Sequence, residues 1–414
     1  MLTDKKILSE KVYEAVNRAE ITDIHTHIYP TDFGGLLLWG IDELLTYHYL
    51  IVEYFRYSNM KYENFFKLSK NEQANLIWQK LFVENSPVSE AQRGVLTVLD
   101  KLGLDVSSRD LGEFRRHFAS LDLDEYVTKV FETAGVKEVV MTNDPFDPEE
   151  RVVWEKESNK DKRFKSALRL DVLLNTYEQA YLKLNELGYT VGYDLDMETQ
   201  DEIKRFLREQ INKMKPLYLA VSLPPDFMVP EASHRSKIIE QCILPICREF
   251  SIPLAMMIGV DKLVNFKLGV GGDAVKKADI GAVEYLCKSY PDNKLMVTML
   301  SKENQHELCV MARKFRNLLI FGCWWFLNNP SIVEEMTRMR MELLGLSFVP
   351  QHSDARVLDQ LIYKWTHSRK IIAKVLIQKY CDILDSGWAV TETEIERDVE
   401  NLFSNNFWKF INQD

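Results

Sequence analysis

The chain is constrained most by a rhythm in its hydrophobicity. Short apolar runs, each closed by polar residues, recur eight times and alternate with amphipathic stretches. The runs are Glu20–His25, Lys137–Asn143, Phe164–Leu170, Leu217–Leu223, Pro253–Val260, Lys294–Leu300, Leu318–Cys323 and Leu346–Gln351. Most are apolar on both faces, as strands buried on both sides must be. Between them lie segments such as Asp201–Lys215, Ser236–Phe250, Gly281–Ser289, Glu303–Phe315 and Ser331–Leu344, whose spaced polar residues suit helices with one wet face. Parallel strands need crossover connections, and helices supply them. The pattern predicts an α/β fold, a (β/α)8 TIM barrel forming one domain over residues 1–414. A doubly wound sheet is the alternative, but no glycine-rich phosphate loop follows any run.

One stretch breaks the rhythm. Residues 29–136, between the first two runs, are rich in leucine, phenylalanine and charge and poor in turn residues. They read as a mainly helical insertion after strand 1. Barrel sites lie at the C-terminal ends of strands, so this insertion is expected over the mouth.

Bulk properties exclude several classes. The 414 residues are 46% hydrophobic, enough for a large core, and the net charge is −10, unsuited to a general nucleic-acid binder. An acidic chain can hold an acidic substrate only with local cations. The six cysteines show no CxxC spacing, and Cys242 and Cys247 read as core residues on a helix. With no apolar leader and no membrane-length run, the expectation is a cytoplasmic protein.

The chemistry gathers where the runs end. His25-Thr26-His27 closes the first, and side chains two apart on a strand point the same way. Asp354 follows the last run. Two imidazoles and a carboxylate make a three-ligand set for one divalent ion, with positions open for substrate. The bland alternative makes Asp354 the N-cap of a helix Val357–Tyr363. Arg169 and Asp171 end the third run, either as partners or as substrate contacts. Trp324 and Trp325 follow the seventh and suit the apolar face of a sugar, or the core. His352 reads as a hydrogen-bonded strand histidine, with ligation as the alternative. His306 reads as an early residue of a helix, and His117, His234 and His367 as solvated. His48-Tyr49 lies in a Tyr-rich helix of the insertion, which either packs on its neighbours or drapes over the mouth.

Taken together, the chain resembles the uronate isomerases of the amidohydrolase superfamily. The resemblance rests on Asp23-Ile24-His25-Thr26-His27, His48-Tyr49, Thr142-Asn143-Asp144-Pro145-Phe146-Asp147, Gly322-Cys323-Trp324-Trp325-Phe326 and Asp354-Ala355-Arg356. It implies an aldose–ketose isomerase acting on D-glucuronate, D-galacturonate or both, giving D-fructuronate and D-tagaturonate. It implies metal positions at His25, His27 and Asp354, and substrate or catalytic positions at His48, Tyr49, Arg169 and Arg356. The implied ion is zinc, with manganese or another divalent ion as alternatives, and such barrels often form homo-oligomers. Many members carry a further ligand histidine in a His-Ile-Gly stretch. Here Met257-Ile258-Gly259 stands in its place, and Lys262 stands where those members have arginine. The chain therefore resembles a divergent branch.

The chemistry of such an isomerisation assigns expected roles. Asp354 is the first choice for proton transfer, Arg356 stabilises the enediolate, Tyr49 donates or relays a proton, and Arg169 clamps the carboxylate. Rival readings are a metal-dependent hydrolase or decarboxylase on the same barrel, or a non-catalytic binding relative. Hydrolysis needs a fuller ligand set than Ser222, Met257 and Thr298 provide.

Overall fold

The computed structural model describes residues 1–156 and 161–413. The apolar runs become β1 Ile21–Thr26, β2 Val136–Asn143, β3 Phe164–Arg169, β4 Leu219–Leu223, β5 Leu254–Ile258, the short β6 Val260–Asp261 and β7 Ala274–Val275, β8 Leu295–Met299 and β9 Leu318–Ile320. Seven of them pair in the order β1-β2-β3-β4-β5-β8-β9, all parallel. Interior positions alternate along each strand, so Ala255 and Met257 of β5 and Met296 of β8 meet inside the barrel. Met256, Val297 and Met299 face the surrounding helices instead. This two-sided burial explains why the runs show so little polar alternation.

The eighth run departs from expectation. Leu346–Gln351 forms no strand, only a single bridge between Val349 and Phe321. Pro350 has no N–H to give a ladder. The barrel still closes. Val349 bonds to Ile320 and Gly322 on one side (3.1 and 2.9 Å), and on the other Asp354 N donates to His25 O (3.1 Å) and His27 N to Ala355 O (2.7 Å). The Asn406 amide takes the carbonyls of Leu346 and Phe348 at 2.6 and 2.9 Å, supplying donors a full strand would have supplied. Its helix, Asn406–Ile411, also plugs the barrel floor, where Phe407, Phe410 and Ile411 join the interior cluster.

Between β1 and β2 the chain forms a series of helices, among them Ile41–Leu45, His48–Tyr57, Lys70–Trp78, Glu90–Lys101, Leu111–Ala119 and Leu123–Ala134. Capping boxes at Ser69/Glu72 and Ser89/Gln92 start two of them. Buried Asp359 ties this region to the barrel, accepting from Gly40 N (2.8 Å) and the Tyr126 hydroxyl. The β6–β7 hairpin follows β5 and reaches the helix His48–Tyr57. A Cβ at Gly271 would lie 3.0 Å from Val52 and 3.6 Å from His48, so glycine permits this approach. The expected helix Ser236–Phe250 is His234–Ile238 and Leu244–Glu249 joined through a π-helical turn, Ile239–Ile243. Among the described residues no helix is long and apolar enough to cross a membrane.

Candidate active site

β1 delivers both histidines to the C-terminal mouth. Their rings meet edge to face, 5.3 Å apart. Closure of the barrel brings Asp354 from the other end of the sequence against them. Its Oδ1 lies 3.4 Å from His27 Nε2 and 3.8 Å from His25 Nε2. Two donors each about 2.1 Å from a tetrahedral ion sit about 3.4 Å apart, so the spacing suits a divalent cation. The electrostatics agree. Burial, with the charge of neighbouring His27, pushes His25 down to about 3, against the pull of Asp354. Burial and the Arg356 charge push His27 down to about 4. Both rings are thus neutral at pH 7, with lone pairs available. Burial alone would raise the Asp354 carboxyl, but the His27 hydrogen bond and the neighbouring His27, His25 and Lys364 hold it below the ordinary range. The three side chains could hold one metal ion.

Asp354 is not a helix cap, because the following helix begins at Gln360. It adopts φ +50°, a left-handed conformation that costs a side-chain-bearing residue on the order of 1 kcal/mol or more. A buried network holds it there. Ser353 N and Trp365 Nε1 donate to the two oxygens of Asp23 at 3.0 and 2.8 Å. Ala355 N donates to Ser353 Oγ at 3.2 Å, and the Lys364 ammonium donates to Ser353 O. Burial pushes Asp23 up to about 6, despite the donors on it. Lys364 and Trp365 carried no sequence signal, since a lone lysine near the start of a helix normally reads as solvated.

Arg169 and Asp171 are partners. Nε and Nη2 of the guanidinium each lie 3.0 Å from the carboxylate. That leaves its Nη1/Nη2 edge for a second acid. Arg169 opens on a cavity of about 450 Å³ that also touches Asn175, Ser222, Arg235 and Lys262. Lys262 is held by Asp273 at 2.7 Å. Arg356 has no carboxylate within ion-pair distance among the described residues.

His48 and Tyr49 line a second cavity of about 330 Å³, with Trp325, Tyr363, Lys364 and Glu53. It adjoins the histidine–aspartate triad without including it. His48 Nε2 and the Tyr49 hydroxyl are buried with no hydrogen-bond partner, as is Trp325 Nε1. Burial and the Arg356 charge push His48 down to about 3, and burial raises Tyr49 well above its usual value. The pair is a neutral imidazole and a protonated phenol. Trp325 packs edge-on to His48 at 5.7 Å, and Trp324 packs into the barrel's interior cluster.

Some expectations fail. His352 is fully buried, and neither ring nitrogen has a partner. It lies edge-on to His25 at 5.3 Å, in space left by Gly322, so it is no hydrogen-bonded strand histidine. His367 is not solvated. It is 7% exposed and bonds Glu90 at 2.5 Å and Thr97 at 2.8 Å. Met257 pairs in register with Thr298, so that wall carries no imidazole.

No protein-family model and no curated protein sequence matches the chain. Solved structures do. A uronate isomerase from Bacillus halodurans C-125 is 56% identical, with 100% of this chain and 98% of that one covered and a TM-score of 0.98. A glucuronate isomerase from Caulobacter crescentus shares the fold at 14% identity and a TM-score of 0.80, covering 99% and 95% of the two chains. A uronate isomerase from Thermotoga maritima shares it at 15% identity and 0.75, covering 99% and 100%.

Proposed function

Because the chain belongs to the uronate isomerase family, we propose that it interconverts D-glucuronate with D-fructuronate, D-galacturonate with D-tagaturonate, or both. His25, His27 and Asp354 would hold one divalent ion, zinc before manganese, and that ion when bound orients and polarises the oxygens of the sugar acid. Arg169 receives the substrate carboxylate on its open edge. The Trp325 ring, backed by Trp324, packs against the sugar's apolar face.

The reaction is a proton transfer from C2 to C1. Asp354 takes the O1 proton as the hemiacetal opens, and passes it to O5 as the C1–O5 bond breaks. The freed carboxylate then takes the C2 proton. The electron pair left behind forms the C1=C2 bond, and negative charge moves to O1. Arg356, whose charge no neighbouring carboxylate neutralises, stabilises that charge. Tyr49 donates to O1, then recovers a proton from O2 as Asp354 returns its proton to C1. His48 accepts a substrate hydroxyl at its bare Nε2. The helices of residues 29–136 form a cover that brings His48 and Tyr49 to this chemistry.

The observation that carries the reading is the pairing of a neutral imidazole–carboxylate triad with unpartnered His48 Nε2 and Tyr49 OH beside it. Hydrolysis has less support, because Met257 and Thr298 offer no further base on that wall. Six free cysteines accord with a reducing compartment, and we place the protein in the cytoplasm. The test is incubation of metal-loaded protein with each uronate in deuterated water, followed by NMR. Ketose formation with deuterium exchange at C2 is expected. No ketose and no exchange from either sugar would end the isomerase reading.

A further inference from the structure

The Lys364 ammonium has no role in the scheme above. It is the fifth residue of the helix Gln360–Asp385 and is 3% exposed. Buried charges normally meet an opposite charge at contact distance. Lys364 has no carboxylate within ion-pair distance among the described residues, and its bond is to the Ser353 carbonyl. An ammonium carries three donors. The residue lines the cavity it shares with His48, Tyr49 and Trp325. Its Nζ stands 6.0 Å from the Tyr49 ring centre. Burial lowers its affinity for the proton, and the longer-range fields of Asp354 and Asp23 oppose that effect. A charge kept in such a place without a contact partner is available to a charge that appears only during turnover.

We propose that Lys364 is a catalytic residue whose free N–H groups bind the substrate oxygen that becomes the enediolate, sharing its charge with Arg356. This rests on the isomerase reading. Ground-state substrate carries a neutral carbonyl oxygen there, so the interaction strengthens as negative charge develops. The competing account is that Lys364 only pins Ser353 and so holds the strained Asp354 turn. The two accounts diverge in measurable ways. Loss of a charge-stabilising donor lowers kcat and leaves ground-state binding alone. Loss of a pin loosens the metal site.

The experiment uses the metal-loaded full chain and D-glucuronate or D-galacturonate, whichever the unaltered protein turns over. Turnover by that protein checks the underlying reading separately. Lys364→Met should lower kcat roughly 100-fold, with KM within about threefold. Metal affinity, measured by chelator competition, should match that of the parent. In Lys364→Ala, added methylammonium should restore part of the lost rate, because the adjoining cavity admits a small cation. The proposal is overturned if Lys364→Met keeps kcat within about threefold, or if the loss follows loss of bound metal and methylammonium gives no recovery. If Lys364→Met does not fold, Lys364→Gln and Lys364→Ala decide the matter on the same measurements.

Discussion

Glu150 offers a sharp test of how burial shapes this mouth. Its carboxylate accepts from the Tyr29 hydroxyl at 2.8 Å and Asp144 N at 3.2 Å on one oxygen, and from Asn143 Nδ2 at 3.0 Å on the other. It thereby ties the end of β2 to the start of the helical region. The side chain is 3% exposed, and burial pushes its pKa from 4.5 up to about 7 against those donors. A raised carboxyl pKa means the folded state prefers the proton. Below pH 4.5 both folded and unfolded chains hold it, and the contribution to stability is fully present. Between 4.5 and about 7 the unfolded chain releases a proton that the folded chain keeps, so stability falls as pH rises. At about 1.4 kcal/mol per unit, the loss reaches about 3 kcal/mol above pH 7, as an order of magnitude. Glu150→Gln mimics the protonated form. The amide keeps an acceptor for Tyr29 and Asp144. Asn143 Oδ1, unpartnered now, can turn to meet the new N–H. Urea denaturation of the metal-free protein at pH 5 and pH 8 measures the effect. The variant should gain on the parent by about 2–3 kcal/mol between those conditions, and equal or exceed it at pH 8. A difference that does not change with pH, or grows less favourable toward pH 8, refutes the reasoning.

Two further perturbations probe the triad and the wall behind it. Asp354→Asn removes the base and weakens the ion's carboxylate ligand. Turnover should fall at least about 100-fold and metal content should drop, as read by coupled assay and elemental analysis; full activity would remove Asp354 from the mechanism. Gly322→Ala puts a Cβ 1.7 Å from His352 Nδ1 at a backbone φ of +66°. The left-handed conformation and the forced movement of a buried ring together should cost about 2–4 kcal/mol in urea denaturation, and an unchanged midpoint would show that His352 has room to move.

Much of this was legible in the primary structure because it is local. Seven of the eight apolar runs became strands of the barrel, their ends shifted by a few residues. The run that failed, Leu346–Gln351, had the apolar composition of a strand but carried Pro350, and its carbonyls were met by Asn406 from far along the chain. The β6–β7 hairpin escaped notice because its two-residue strands leave no periodicity to read. His25, His27, His48, Tyr49, Trp325, Asp354 and Arg356 were singled out by type and order; the fold groups His25, His27 and Asp354 and sets His48, Tyr49 and Trp325 around one cavity. For Arg169 and Asp171 the sequence left partnership and substrate contact both open, and the placed side chains pair with each other. Asp23 stood beside the His25-Thr26-His27 motif, yet its work as acceptor for Ser353 and Trp365 depends on a loop and a helix more than three hundred residues away in sequence.

By itself the sequence determined the strand–helix alternation, the same-side projection of His25 and His27, and the family to which their companions point. Hydrophobic period and residue order encode those features over short distances. Tertiary structure alone decided the rest. Closure of the barrel set Asp354 within 3.4 Å of His27. Burial made the imidazoles neutral and set the Lys364 amine against the Ser353 carbonyl, with no carboxylate at contact distance among the described residues. Desolvation and Coulomb terms depend on every group packed within several ångströms, and that neighbourhood is assembled from distant parts of the chain.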